Sequence, residues 1–93
     1  MVVGILQVEL HIAQSFSLKD KRRVLQGTIE RIRRRFNVSV AEIDHQDVWQ
    51  RALLAIVTVS NQSAYTDRSL RSVLRYLESQ RDLEVVECHT ELI

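Results

Sequence analysis

Along this 93-residue chain the hydrophobic period switches between two and 3.6, and that succession constrains the fold more than any other feature. From Val2 to Ile12 the even positions Val2, Gly4, Leu6, Val8, Leu10 and Ile12 are apolar, while Gln7, Glu9 and His11 alternate with them. This predicts a strand with one buried face. Ser17 followed three residues later by Asp20 is a helix N-terminal pattern, in which the serine oxygen accepts an orphan backbone N–H, so a helix is predicted from Leu18. Leu18, Leu25, Ile29, Ile32 and Phe36 form its apolar stripe, Gly27 weakens it only modestly, and Asn37 ends it. Val38 to Ile43 is short and β-branched, with an apolar phase that shifts between Val40 and Ala41, the mark of a bulge or an edge strand.

After a polar connection from Asp44 to Val48, Trp49 to Ser60 is apolar on both faces, as a central strand is. Ser60, Asn61 and Gln62 close it, and a second helix is predicted from about Ser63 to Gln80 with Leu70, Val73, Leu74 and Leu77 as its stripe. Leu83 to Ile93 alternates again, with Val86, Cys88, Thr90 and Leu92 on the inward side and Glu87, His89 and Glu91 on the other. The order β-α-β-β-α-β is the α+β, ferredoxin-like arrangement: two helices on one face of a four-stranded antiparallel sheet, the first and third strands central because crossovers are right-handed. A chain of this length builds one hydrophobic core, so residues 1–93 are read as a single domain.

Composition narrows the setting. Cys88 is the only cysteine, so no intramolecular disulfide forms, and one thiol holds neither zinc nor an iron–sulfur cluster by itself. The apolar N-terminus alternates with polar residues and lacks a leading positive cluster, and no apolar run approaches the roughly 20 residues that cross a bilayer. These features predict a cytoplasmic protein that does not engage a membrane.

The net charge of +1 conceals a segregation. The first helix holds Lys19, Lys21, Arg22, Arg23, Arg31, Arg33, Arg34 and Arg35 against Asp20 and Glu30, a balance of +6. The second, taken to Arg81, stands at +2, and the remainder, with Arg51 against eight acids, at −7. A basic layer neutralises phosphates, and the planar fork of arginine fits their oxygens. Charged helix faces are also the ordinary solvated surface of a globular protein. The outward positions of the first strand, Val3, Ile5, Gln7, Glu9 and His11, include no aromatic, which disfavours base stacking on the sheet as RNA-recognition modules do it. The aliphatic strip there suits self-association instead.

Other polar groups carry weaker signals. Asp44, His45, Gln46 and Asp47 gather two carboxylates and an imidazole, but the spacing matches no metal motif, and a turn stabilised by Asp side chains explains it more simply. Antiparallel pairing of the first and last strands sets His11 near Glu84 and His89 near Leu6 or Gln7, so the two histidines do not meet. Cys88, on the inward register, reads as a small buried hydrophobe. Ser63 is the expected cap of the second helix, and Trp49 the ring that seals one end of the core. None of the phosphate-loop, Cys-x-x-Cys, Gly-x-Ser-x-Gly or His-Glu-x-x-His patterns occurs. The expectation is a non-enzymatic protein without a cofactor or metal.

Four segments together resemble the YlxP-like family, a bacterial domain family of unknown function. They are Gly4-Ile5-Leu6-Gln7-Val8-Glu9-Leu10, Ser17-Leu18-Lys19-Asp20-Lys21-Arg22, Asn37-Val38-Ser39-Val40-Ala41-Glu42 and Asp44-His45-Gln46-Asp47-Val48-Trp49-Gln50-Arg51. The resemblance implies a ferredoxin-like fold and, since genes of the family often sit beside those for translation initiation and ribosome maturation, a role around RNA. It transfers no catalytic residue. Two functions are therefore expected to compete: a binding protein for rRNA or the ribosome that uses the eight basic residues of the first helix, and a small homodimeric interaction or ligand-sensing module that uses the open sheet.

Overall fold

In a computed structural model covering residues 1–93, the elements run β1 (Val2–His11), α1 (Leu18–Arg35), β2 (Ser39–Asp44), β3 (Arg51–Ser60), α2 (Ser63–Glu78) and β4 (Glu84–Leu92). The strands form one antiparallel sheet in the order β2-β3-β1-β4, so β1 and β3 are central as right-handed crossovers require. β1 pairs with β3 along its whole length, from Val2 opposite Ser60 to His11 opposite Arg51. This is the ferredoxin-like α+β fold.

The alternation in β1 works as the period dictates. Leu6, Val8, Leu10 and Ile12 are buried beneath the helices together with Ala52, Leu54 and Ile56 of β3 and Val40 of β2. The helices supply Leu25, Ile32, Leu70, Val73 and Leu77, and Leu83, just before β4, completes a core of 14 apolar residues. Each of these side chains except that of Ala52 contributes about 1.5–3 kcal/mol relative to exposure. Gly4 lets α2 approach the sheet: a Cβ there would sit 2.8 Å from Leu70 Cδ1 and press on the Thr66 methyl.

The first helix begins where the cap pattern predicts, with Ser17 Oγ accepting from Asp20 N at 3.0 Å while the Asp20 carboxylate accepts from Phe16 N at 3.2 Å. The second departs from expectation. Its N-cap is Gln62, without a side-chain cap bond, and Ser63 is already helical. Ser60 does the local work instead, with its hydroxyl accepting from Gln62 N at 3.1 Å.

Both edge strands carry a bulge. In β2 the register shifts between Glu42 and Asp44, leaving Ile43 as the extra residue, close to where the apolar phase breaks. In β4 the shift makes Val86 the unpaired residue, and Val85, not Val86, takes the inward position opposite Leu10. Cys88 lies opposite Val8, in the inward register, yet it is exposed and not the buried hydrophobe expected. An edge strand beyond the helical cover leaves even its inward positions in contact with water, and of β4 only Val85 is partly buried.

Trp49 also overturns its expectation. It is 52% exposed and lies outside the β3 ladder, which starts at Arg51. The connection between β2 and β3 turns inward through the carbonyls of His45 and Val48, both held by the Lys21 ammonium, and the indole stays on the outside.

Candidate nucleic-acid interface

Eighteen residues of α1 spread their cations over three aspects of one helix, so the eight basic residues do not act on one ligand. Lys21 leaves the set altogether. It is 1% exposed, its Nζ lies 2.8 Å from Glu42 Oε2, and it donates to Val48 O at 2.8 Å and to His45 O. Two of the ammonium donors go to carbonyls, and the Glu42 carboxylate compensates the charge. A lysine at a buried helix position pays for its desolvation through this cage, and it cannot contact a phosphate.

The remaining seven are exposed. Arg33 reaches back to Val40 O at 2.8 Å, and the helical spacing places Arg22 on that same β2-facing side. Lys19, Arg23 and Arg34 occupy the crest, where Arg23 pairs with Asp20 at 3.2 Å. Arg31 and Arg35, one turn apart, face α2. The Arg31 Nε donates to Tyr76 Oη at 2.9 Å and its Nη2 donates to Gln80 Oε1 at 3.3 Å, while the Arg35 guanidinium sits 4.9 Å from the centre of the Tyr76 ring. Phe36 packs edge-on against the same ring, 6.0 Å between centroids. α2 adds Arg68 and Arg75, both exposed, and Arg71, which Asp67 neutralises at 2.9 Å.

Across this helical layer the cations greatly outnumber their partners. Lys19, Arg22, Arg31, Arg33, Arg34, Arg35, Arg68, Arg75 and the following Arg81 have no carboxylate within ion-pair distance. Sequence reasoning found the charge but missed the aromatics. Tyr65 and Tyr76 are 11 residues apart on α2, three helical turns, and that spacing was the only available signal that they share a flank.

The opposite face of the sheet differs in kind. Val3 pairs with Val59 and with Ile93, and Ile5 with Val57, giving an apolar end. Toward the other end the face turns polar, with Gln7 opposite His89, Glu9 opposite Glu87, and His11 opposite Glu84 at 3.9 Å, so the two histidines are indeed kept apart. A shallow cleft of about 230 Å³ lies there, lined by Gln7, Glu9, Leu53, Glu87, Cys88 and His89.

The Asp44, His45, Gln46, Asp47 connection docks on the acidic end of this face. His45 adopts a left-handed backbone (φ 66°), its N–H donates to Asp44 Oδ1 at 2.8 Å, and its ring Nε2 lies 3.0 Å from Glu9 Oε1. Arg51 Nη2 meets the same oxygen at 3.3 Å, while Glu9 Oε2 is buried without a partner. Gln50 ties the loop to the β1–α1 connection through Ala13 O and Ser15 O. Asp44 and His45 thus hold the turn and anchor it on β1, whereas the Asp47 side chain makes no hydrogen bond or ion pair within the chain. No helix is long and apolar enough to cross a membrane.

The family model described as "Protein of unknown function (DUF503)" matches residues 3–90. The chain is similar to "Uncharacterized protein YlxP" of Bacillus subtilis (strain 168), 37% identical over 90 residues that cover 97% of this chain and 98% of the relative. On both grounds the chain belongs to the DUF503 family, whose function is unknown.

Proposed function

We infer that this protein is a non-enzymatic binding protein that holds RNA, rRNA or the ribosome in the first place, on its helical layer. The observation that carries this reading is the set of exposed arginines on α1 and α2 that no carboxylate neutralises. Such a surface attracts a phosphate backbone and releases its counterions, and the guanidinium fork bonds two phosphate oxygens at once. The acidic residues of the strands and loops repel the same ligand, which directs it to the helices. Arg34 and Arg35 at the end of α1, with Arg68 and Arg75 on α2, are the contacts assigned to it, and Lys21 is not among them.

Filter binding of rRNA fragments between low and moderate salt tests the reading. Four phosphate contacts on single-stranded RNA predict a log–log salt slope of about −3. Undetectable binding at low salt would sink it.

A second reading rests on the apolar end of the uncovered sheet, where Val3, Ile5, Val57, Val59 and Ile93 are neighbours and Val59 and Ile93 are exposed. A second copy laid against this strip would bury it and leave the helical layer free. Light scattering across a concentration series decides that point, since a strict monomer at high concentration removes the homodimer.

A further inference from the structure

We propose that the cleft between the end of α1 and the first turn of α2 takes one unstacked base of a single-stranded RNA, with Tyr65 as its stacking partner. This deepens the helical-layer reading and rests on it. The cleft has a volume of about 150 Å³ and is lined by Arg35, Phe36, Asn37, Val59, Tyr65 and Ser69, among others, with no acid in its wall.

Three features make it a site for a planar ligand. Phe36, Val38, Val59 and Tyr65 supply its aromatic and aliphatic part, and Tyr65 is 53% exposed at the start of a helix, where folding gains little by placing it. A ring left half in water beside an open cleft is a π surface without a partner.

The rim is polar and uncommitted. The side chains of Arg35, Asn37, Tyr65 and Ser69 make no hydrogen bond or ion pair within the chain, whereas the neighbouring Arg31, Arg33 and Ser72 do. An amide such as that of Asn37 carries a donor and an acceptor, the pairing a base edge requires. Arg35, braced over the Tyr76 ring, arrives at the rim already ordered, so less freedom is lost when it meets a phosphate.

The third feature is continuity with the charge. Arg35 stands in the cleft wall itself, and Arg68 lies one turn beyond Tyr65 in α2, so phosphates flanking a docked base fall near unneutralised guanidinium groups. A duplex, whose bases are stacked and paired, presents no ring to the cleft. The sheet lacks outward aromatics, and the helical layer supplies the stacking platform in its place.

Fluorescence anisotropy with a labelled single-stranded RNA decamer, an abasic decamer of equal charge and a duplex of the same sequence tests the proposal. The decamer is expected to bind at least 10-fold more tightly than the abasic strand. Tyr65→Ala should weaken decamer binding about 5- to 150-fold and leave abasic binding unchanged, the range that loss of one stacked base produces. Tyr65→Phe keeps the ring and should keep the affinity, which separates stacking from any change in folding. Equal affinity for decamer and abasic strand would overturn the base site while leaving the charged layer standing. Failure of all three probes to bind at low salt would overturn the helical-layer reading and this proposal with it.

Discussion

Lys21 of α1 and Glu42 of β2 form an ion pair at 2.8 Å, with the lysine side chain 2% and the glutamate side chain 22% exposed. The same ammonium holds the carbonyls of His45 and Val48, so one side chain joins the first helix, the second strand and the loop that leads into the third. A charge kept this dry acts on the loop's position, and breaking the pair from one side leaves the other charge uncompensated.

Lys21→Met is therefore expected to destabilise the protein by about 2–4 kcal/mol, somewhat below the loss for a fully buried pair because water reaches Glu42. The double variant Lys21→Met, Glu42→Gln should cost less than the sum of the two single changes. Urea unfolding of the four proteins measures this, and additive losses would show that the pair contributes no coupling.

Gly4→Ala places a methyl group against Leu70 and Thr66 of α2. The helix must shift or the side chains must leave their rotamers, at a cost of about 1–3 kcal/mol. A thermal scan should show the midpoint falling by roughly 4–8 °C for each kcal/mol lost. An unchanged midpoint would mean that α2 rides farther from the sheet.

Trp49→Ala should cost less than about 1 kcal/mol, as surface substitutions do, despite the size of the ring. Trp49 is the only tryptophan, so the tryptophan emission of the native protein, excited beyond the absorption of its two tyrosines, reports on it alone. Acrylamide should quench that emission in the folded state nearly as well as in the unfolded one. Strong protection from quenching would indicate that the ring is covered, by this chain or a second copy.

Arg34→Gln combined with Arg68→Gln should weaken RNA binding about equally for all sequences and make the salt slope about 1.4 shallower, two phosphate contacts having been removed. Lys21→Gln should leave the slope unchanged, because its ammonium is caged. A slope that responds to Lys21 and not to the two arginines would place the contact surface elsewhere.

Cys88 should react with a chromogenic disulfide in the native state, one thiol per chain and without denaturant, because β4 leaves it exposed. Reaction only after unfolding would mean that something covers the edge strand in solution, and comparison across protein concentrations would show whether a second copy does.

The order and type of every element were legible in the sequence because they depend on period and local capping. Alternation in β1 and the Ser17–Asp20 pair act within a few residues, and the central position of β1 and β3 follows from the handedness of crossovers. The segregation of basic helices from acidic strands is a property of composition and survives folding intact. Exposure, in contrast, was decided by tertiary cover. Cys88 has an inward register and still meets water because α2 does not shield the outer edge of β4, and Trp49 lies outside because the loop before β3 turns its carbonyls, not its ring, toward the core. Lys21 looked like one phosphate contact among eight, but Glu42 and two loop carbonyls met it only once β2 lay beside α1. Likewise, Tyr65 came to face Arg35 and Phe36 only when the two helices packed side by side, bringing residues 29 and 30 positions apart in sequence to one cleft. Pairings of that separation are set by how whole elements dock, and no local pattern in a single chain encodes them.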